Sequence, residues 1–310
     1  MGSALKVYGM TSIIIPTYNA GEQMRCLCEA LRSQTASSEI IVVDSSSSDR
    51  TVEIAKSFGA RVLVVRTEDF DHGETRTLAG KAAKGDILVY MTQDVTLFDK
   101  HSIENIARPF EDQEIAASFG RQLPYPDTTA FGAHLRLFNY PETPYIRTLS
   151  DRKKYGIKTP FLSNSFAAYR RSALDEILWF KEKLILGEDT YAGAKLLLAG
   201  YNIAYVPDAM VYHSHNYTVF QEFRRYFDIG VFHKSEQWII EKFGKAEGEG
   251  GRYLQSAFAF LRKNRKYSLL PEFVVRNVLK YIGYTLGQHY DKLPDSMIHK
   301  LSMHANYRDS

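Results

Sequence analysis

The stretch SIIIPTYNAGEQMRCLCEALRSQTASSEIIVVDSSSSDRT, residues 12–51, contains two short apolar runs on either side of a helical segment, and it determines our prediction of the fold. Ser12–Ile15 and Ile40–Val43 are continuous apolar runs, which are typical of strands buried on both faces of a parallel sheet. Between them, residues 22–33 carry apolar side chains at helical intervals. The stretch therefore predicts a β-α-β unit, in which the crossover helix brings two parallel strands side by side.

The same alternation of strand and helix signals continues after this stretch. Residues 48–58 predict a second helix, and Arg61–Val65 predict a third strand. Residues 74–83 predict a third helix, and Ile87–Met91 predict a fourth strand. Strands and helices that alternate with short connections favour a doubly wound α/β fold, in which a mostly parallel sheet is flanked by helices.

The second half of the chain changes from this mixed pattern to a helical one. Residues 123–160 contain five prolines and predict mainly loop, which in α/β enzymes often faces the substrate. Ile203–Val206 and Met210–Tyr212 predict a last pair of strands, and helical spacing follows them. We therefore expect an α/β domain over residues 1–215 and a C-terminal helical extension over residues 216–310.

Composition and charge exclude several classes of protein. The 310 residues are 45% hydrophobic, which is enough for a large core, and the net charge of +3 gives no reason to expect nucleic-acid binding. Residues 1–10 lack the apolar segment of a secretory signal, and no run of 18 uncharged apolar residues predicts a membrane-spanning helix. Cys26 and Cys28 are too close together for a disulfide and too few for a zinc site. We expect a cytoplasmic protein.

Polar and acidic groups follow each of the four N-terminal strands. These segments are IPTYNAGE at 15–22, DSSSSDRT at 44–51, DFDHGETR at 69–76 and TQDV at 92–95. In open α/β sheets, ligands bind at the carboxyl ends of the strands, so these side chains are expected to meet at one edge of the sheet. The convergence predicts a polar ligand site at this edge of the sheet.

At this point the chain resembles glycosyltransferase family 2, the inverting transferases with the GT-A fold. Pro16–Asn19 match the motif after the first strand of that family, and Asp44–Thr51 match its Ser-rich turn. Asp71–Arg76 resemble its Asn-x-Gly segment, Gln93–Val95 its acidic metal motif, and Glu188–Asp189 a later acidic pair. The resemblance covers about two-thirds of the chain and implies an enzyme that transfers a sugar from a nucleotide-diphosphate donor.

The resemblance assigns nucleotide binding to residues at the first four strand ends. Asp44 is expected to accept a hydrogen bond from the N3–H of uracil or thymine, although it could instead cap the following helix. Arg76 is expected to contact the base or the diphosphate, although it could instead pair with Glu74. The complete predicted set is Pro16, Thr17, Tyr18, Asn19, Asp44, Asp71, Gly73, Arg76 and Gln93.

The resemblance also implies a divalent cation, Mg²⁺ or Mn²⁺, with Asp94 as its main ligand. Such a cation offsets the charge that grows on a leaving diphosphate. Gln93 occupies a position where the family usually has a second acidic residue, so another ligand is needed. His213 and His215 alternate along an extended segment, so only one of them should point to the site. We predict Asp94 and His213, and leave His215 as the alternative.

Catalysis is assigned to the acidic residues Asp189 and Glu188. Inverting transfer is a single displacement that needs one carboxylate to take the proton of the acceptor hydroxyl. Asp189 is predicted to be this general base, and Glu188 to orient it or to hold the acceptor. The alternative is a pair of acids that stabilise a helix N-terminus. Further on, Gln221–Arg225 predict an amphipathic helix from which Arg224 or Arg225 could reach the diphosphate.

Within the family, the chain resembles bacterial rhamnosyltransferases. The matching segments are TQDV at 92–95, GEDTYAGAKLLLAGY at 187–201, HSHNYT at 213–218 and RRYFDIG at 224–230. The resemblance implies dTDP-L-rhamnose as donor, a saccharide or a polyprenyl-diphosphate-linked glycan as acceptor, and a role in surface polysaccharide synthesis. A UDP-hexose donor is an alternative. A non-catalytic glycan-binding or scaffold protein with a degenerate transferase fold is another.

The C-terminal helical region is rich in basic and aromatic residues. Residues 252–290 contain seven Lys or Arg and one acid, Glu272, with aromatic side chains interleaved. Such a pattern fits peripheral binding to an anionic membrane surface, here the inner face of the membrane. A helical subdomain packed on the core, or across a homodimer, fits it equally.

Overall fold

The computed structural model describes residues 9–304, which fold into one mixed sheet flanked by helices. The strands are β1 (Thr11–Thr17), β2 (Ser38–Asp44), β3 (Arg61–Val64), β4 (Ile87–Met91), β5 (Thr96–Leu97), β6 (Ile115–Leu123), β7 (Tyr145–Arg147), β8 (Phe166–Arg170) and β9 (Asn202–Tyr212). The helices are α1 (Gly21–Arg32), α2 (Thr51–Ser57), α3 (His72–Ala82), α4 (Ser102–Ala107), α5 (Ala130–Asn139), α6 (Arg152–Tyr155), α7 (Arg171–Glu176), α8 (Glu188–Leu198), α9 (Val219–Ser235), α10 (Gln237–Phe243), α11 (Glu249–Lys263), α12 (Leu270–Gly287) and α13 (Asp295–Leu301).

The order of strands in the sheet is β3-β2-β1-β4-β8-β6-β9-β5, and β7 pairs with β9. The predicted α/β fold with a C-terminal helical region is confirmed, and β1 to β4 pair in parallel as expected. The second half of the sheet differs, because β8 runs antiparallel to both β4 and β6. The sequence analysis missed β6 and β8, since their Ala, Gly and Arg residues interrupt the apolar runs that mark the other strands.

The last strand differs from its prediction. We expected two strands separated near Pro207, but β9 is continuous. Proline has no N–H to donate, and the sheet accommodates it with an irregularity in the pairing of β9 with β6. Val206 pairs with Gly120 and Met210 pairs with Arg121, so three extra residues of β9 lie between two neighbouring residues of β6. The pairing of β9 with β6 then continues from Met210 to Tyr212. The residues that follow Tyr212 therefore lie at the edge of the sheet where β6 ends.

Hydrophobic residues cover both faces of the sheet. In β1, Ile14 belongs to one cluster of buried side chains, whereas Ile13 and Ile15 belong to the cluster on the opposite face. This alternation follows from the two-residue repeat of a strand. The C-terminal helices add Phe227 and Ile298 to the Ile14 cluster, so the helical region and the sheet share a core.

Helices α9 and α12 pack at very short distance because glycines line their contact. A Cβ atom added at Gly287 would lie 2.0 Å from the carbonyl oxygen of Phe227, and one at Gly283 would lie 2.5 Å from that of Phe223. Small residues let two helix backbones approach closely, and a side chain here has no space.

Two basic residues of α12 face inward rather than toward solvent. Arg276 Nη1 lies 3.0 Å from Glu222 Oε2, and Lys280 Nζ lies 3.3 Å from Glu222 Oε1. Both cations are buried, so two of the seven basic residues in 252–290 are unavailable to a membrane surface. None of the helices in residues 9–304 combines the length and the apolar character needed to span a bilayer.

We predict that Gly287→Ala lowers the free energy of unfolding by about 1–3 kcal/mol, because the new methyl group forces α9 and α12 apart. Gly251→Ala is the matched control, since Gly251 lies in α11 with no atom within 4 Å of an added Cβ. Its higher helix propensity should leave stability unchanged or raise it by up to about 1 kcal/mol. Urea unfolding of the two variants measures the difference, and equal stabilities would contradict the close contact.

Candidate functional site

The carboxyl ends of β1, β2 and β4 form one edge of the sheet, called the rim below. Thr17 and Asp44 are paired in the last register position of β1 and β2, and both are buried. The loops after β1 and β4 are joined by Gln93, whose Oε1 accepts from the Tyr18 N–H at 2.8 Å and whose Nε2 donates to the Tyr18 carbonyl at 3.2 Å. Gln93 therefore holds the loop that carries Asp94.

Asp44 is held by its own turn and does not cap a helix. Its Oδ2 accepts from the Ser47 N–H at 2.8 Å, and its Oδ1 accepts from the Ser47 hydroxyl. Asn19, in the left-handed region at φ 48°, accepts from the Ser48 N–H and so joins the loop after β1 to the same turn. Pro16 lies within β1, where it is paired with Val43 of β2. Asp44 does not cap α2, because its carboxylate bonds to Ser47, whereas the N–H of Thr51, the first residue of α2, donates to Asp49 Oδ1 at 2.9 Å. Remaining lone pairs on Asp44 are left for a ligand.

Asp71 and Gly73 have clear structural roles near the rim. Asp71 caps α3 by accepting from the N–H groups of Gly73 and Glu74 at 2.9 and 2.8 Å, and it also accepts from the Lys183 N–H at 3.0 Å. A Cβ on Gly73 would lie 2.0 Å from the Lys181 carbonyl oxygen. Both residues therefore contact residues 181–183, the segment that leads into α8.

Arg76 forms a buried ion pair with Glu188 rather than with Glu74. Arg76 Nη1 lies 3.1 Å from Glu188 Oε1, and the two side chains are 6% and 8% exposed. Arg76 also donates to the His72 carbonyl at 3.0 Å. Burial acts to raise the pKa of Glu188, but the Arg76 and His72 charges and a hydrogen bond from Asn164 hold it below its ordinary value. Glu188 is therefore ionised at neutral pH.

Asp189, the second member of this acidic pair, is less buried than Glu188, and its pKa shifts in the opposite direction. Its Oδ2 accepts from the Asn164 N–H at 3.2 Å, and its Oδ1 accepts from the Thr190 N–H at 2.7 Å. Burial and the negative charge of Glu188 raise the pKa of Asp189 to about 6. A carboxylate with this pKa can accept a proton near neutral pH, which is the property of a general base.

Asn164 organises both members of the acidic pair, and the sequence analysis missed it. Its backbone N–H bonds to Asp189, its Nδ2 donates to Glu188 Oε1 at 3.1 Å, and its Oδ1 accepts from the Tyr169 hydroxyl at 2.7 Å. The residue is buried and lies two positions before the first residue of β8. Because β8 was not predicted, no pattern indicated that residue 164 would meet residue 188.

Asp94, His213 and His215 form the Asp/His/His cluster, in which one ligand atom from each residue lies within 4.8 Å of the others. His213 Nε2 is 3.3 Å and His215 Nδ1 is 3.9 Å from Asp94 Oδ2. The expectation that only one imidazole reaches the rim is therefore wrong. The chain leaves the sheet after Tyr212, so the alternation of a strand no longer applies to these residues.

The protonation states of the Asp/His/His cluster suit a cation. Burial acts to raise the pKa of Asp94, but the hydrogen bond and charge of His213 hold it well below its ordinary value. Burial, and then the charge of His213, lower the pKa of His215 to about 4. At neutral pH the cluster thus offers an ionised carboxylate and a neutral imidazole, both of which are metal ligands.

The acidic pair and the Asp/His/His cluster occupy neighbouring positions on the rim. The Thr92 N–H, two residues before Asp94, donates to the Ser165 carbonyl at 3.4 Å, next to Asn164. Arg225 of α9 is exposed and forms no ion pair within the described residues. Burial is the main cause of the lowered pKa of His72, and the Arg225 charge contributes to it, as it does for His215. The charge of Arg225 therefore acts on an imidazole beside the acidic pair and on one in the Asp/His/His cluster.

Comparisons with known proteins agree with this geometry. The sequence profile of the family described as Glycosyl transferase family 2 matches residues 12–178. The O-antigen chain rhamnosyltransferase RfbN of Salmonella typhimurium strain LT2 is 43% identical over 299 residues, which cover 96% of this chain and 95% of that protein. The O-antigen chain rhamnosyltransferase WbaN of Salmonella anatum has the same identity and coverage.

Solved structures share the fold at low sequence identity. The mannosyltransferase PcManGT from Pyrobaculum calidifontis, solved with GDP-Man and Mn²⁺, has a TM-score of 0.64 at 17% identity and covers 92% of this chain and 88% of its own. TarS 1–349 from S. aureus, solved with UDP-GlcNAc, has a TM-score of 0.55 at 18% identity and covers 97% and 87%. The profile match and the long alignments, together with a rim that carries the matching motifs, show that the chain belongs to glycosyltransferase family 2.

Proposed function

We propose that this enzyme transfers L-rhamnose from dTDP-L-rhamnose to a hydroxyl of a saccharide or a lipid-linked glycan, with inversion, in the synthesis of a bacterial surface polysaccharide. The observation that carries the proposal is the acidic pair, in which Glu188 stays ionised while Asp189 has a pKa of about 6, beside the Asp/His/His cluster. Rhamnose is supported by the names of the two relatives that are 43% identical over nearly the whole chain.

Asp189 acts as the general base in this proposal. One of its carboxylate oxygens takes the proton of the acceptor hydroxyl while the hydroxyl oxygen forms a bond to the anomeric carbon of the sugar. The bond from that carbon to the diphosphate breaks on the opposite face, and its electron pair leaves with the nucleoside diphosphate. Glu188 does not touch the substrates in this scheme, because it is buried against Arg76 and Asn164. Its charge keeps the proton affinity of Asp189 high.

Asp94, His213 and His215 would hold a divalent cation, and their donor atoms fit one. Two imidazoles and one carboxylate favour Mn²⁺ over Mg²⁺, since Mg²⁺ strongly prefers oxygen ligands. When bound, the cation offsets the negative charge of the leaving diphosphate. Arg225 is available to contact the same diphosphate, because its side chain is exposed and its charge acts on His215 of the cluster.

We assign the nucleotide base to the part of the rim formed by Thr17, Tyr18 and Asp44. Asp44 is 1% exposed, so its carboxylate can discriminate a ring N–H donor with little competition from water. Arg76 takes a different role from the one expected, since its ion pair with Glu188 supports the acidic pair rather than the diphosphate.

We further propose that the acceptor is lipid-linked and that the C-terminal helices bind the inner face of the membrane. Arg262, Lys263, Arg265 and Lys266 are exposed at the end of α11, and α12 exposes Val278 at 52% and Tyr281 at 72%. Each such cation near an anionic surface contributes about 1 kcal/mol to the free energy of membrane binding. The enzyme should float with vesicles that contain phosphatidylglycerol and not with pure phosphatidylcholine vesicles. A Lys263→Glu/Arg265→Glu variant should lose flotation, and unchanged flotation would contradict the proposal.

A donor panel tests the proposed activity directly. We expect dTDP-L-rhamnose, with Mn²⁺, to give the fastest release of nucleoside diphosphate in the presence of a saccharide or lipid-linked acceptor, and EDTA to stop it. UDP-glucose and GDP-mannose serve as comparison donors. Faster release from a UDP-hexose would replace the donor assignment, and the absence of both turnover and nucleotide binding would favour the non-catalytic scaffold.

Asp189→Asn should lower kcat by about 10²–10⁴, because an amide cannot accept the proton, while donor affinity stays close to that of the wild type. Wild-type kcat/KM should fall about tenfold per pH unit below about 6, where Asp189 becomes protonated, and level off above it. Glu182→Gln, an exposed carboxylate before α8, is the control and should keep full activity. An unchanged kcat in Asp189→Asn would remove this residue from the mechanism.

A further inference from the structure

The side chain of His213 is fixed by a buried hydrogen bond on the side away from Asp94. His213 Nδ1 lies 2.8 Å from Gln122 Oε1, and the two side chains are among the least accessible polar groups, at 4% and 1% exposure. Gln122 lies near the end of β6, and the backbone N–H of His213 donates to the carbonyl of the next residue, Leu123, at 2.9 Å. Backbone and side chain thus hold the imidazole in one place.

The direction of this hydrogen bond follows from the other partners of Gln122. Arg136 Nη1 donates to Gln122 Oε1 at 2.6 Å, and Gln122 Nε2 donates to the Ser163 hydroxyl at 3.1 Å. A guanidinium has only donors, so the atom that faces Arg136 must be the amide oxygen. That oxygen can only accept, and the proton in the bond to His213 therefore resides on Nδ1.

A neutral imidazole with its proton on Nδ1 has a free lone pair on Nε2. With a cation bound, this lone pair is free to ligate it; without one, Nε2 lies 3.3 Å from Asp94 Oδ2, to which it hydrogen-bonds, and the Nδ1 of His215 is 3.9 Å from the same oxygen. Lone pairs that face each other at this distance repel unless a cation or a proton lies between them. The arrangement is that of ligand atoms oriented toward one point.

We propose that Gln122 is a positioning residue for the metal site: it selects the Nδ1–H tautomer of His213 and so presents Nε2 to the cation. This inference rests on the proposed assignment of Asp94, His213 and His215 as metal ligands. Outer partners of this kind fix the tautomer and the ring orientation of a ligating histidine, and their removal typically lowers metal affinity about 10–100-fold. Arg136 acts one step further out by fixing the direction of the Gln122 amide.

The same amide connects the Asp/His/His cluster with the acidic pair. Gln122 Nε2 donates to Ser163, and the next residue, Asn164, bonds to both Glu188 and Asp189. A continuous set of hydrogen bonds and one peptide link therefore runs from His213 to the general base. Loss of Gln122 is expected to affect metal binding first, because His213 is its direct partner.

Two variants of Gln122 test the inference by their affinity for Mn²⁺, measured by electron paramagnetic resonance without nucleotide sugar. Gln122→Leu removes the acceptor and should weaken Mn²⁺ binding about 10–100-fold. Gln122→Glu keeps an oxygen for both His213 and Arg136, and its affinity should stay within about threefold of the wild type or increase. Equal affinities of the leucine variant and the wild type would overturn the proposal.

A metal-free measurement separates this inference from the assignment of the metal site. In metal-free wild-type enzyme labelled with ¹⁵N-histidine, the His213 resonances should report a proton on Nδ1, whether or not Nε2 is also protonated toward Asp94. A ring protonated on Nε2 alone would overturn the proposal even if Gln122→Leu fails to fold. Asp94→Ala should abolish Mn²⁺ binding, whereas Asp127→Ala, an exposed carboxylate outside the cluster, should preserve it. Unchanged binding in Asp94→Ala would place the metal elsewhere, while the tautomer result stands separately.

Discussion

The buried ion pair between Arg76 and Glu188 is the interaction on which the rest of the site depends. It joins α3 to the start of α8 and keeps Glu188 ionised in a place where water is nearly absent. Removing one partner of a buried pair typically costs about 3–5 kcal/mol, since the other charge is left uncompensated. The retained charge of Glu188 is also a cause of the raised pKa of Asp189. The Arg76–Glu188 contact therefore both holds α3 against α8 and raises the proton affinity of Asp189.

The mixed sheet explains how groups that are distant in sequence reach one rim. The parallel half supplies Asp44 and Asp94 at strand ends, as expected for an α/β fold. The second half reverses direction at β8, so that the start of β8 and the ends of β6 and β9 lie on the same rim. Asn164, Gln122 and His213 come from these three positions. The site is therefore assembled at the junction between the two halves.

The C-terminal helices take part in the architecture of the site as well as covering the core. Glycines allow α12 to pack directly on α9, and α9 carries the exposed Arg225. Asp228 of the same helix accepts from the Met303 N–H at 3.0 Å, which returns the end of the described chain to the catalytic face. There the ring of His304 lies 5.7 Å from the ring of His72, the residue that contacts Arg76. The helical region thus supports the acidic pair from outside the sheet.

The sequence was enough to predict the first four strands, their parallel pairing and the positions of Asp44 and Asp94 at strand ends, and its motifs were enough to indicate the family by resemblance. These features follow from apolar runs and short motifs, which depend on neighbours in the chain. The partners of those residues depend on contacts between distant segments. The pairing of Arg76 with Glu188, the placement of Asn164 between two carboxylates and the convergence of both His213 and His215 on Asp94 appear only in the tertiary structure. The physical reason is that hydrogen bonds and charges act over a few ångströms in space, whereas sequence periodicity reports only which side of a strand or helix is buried.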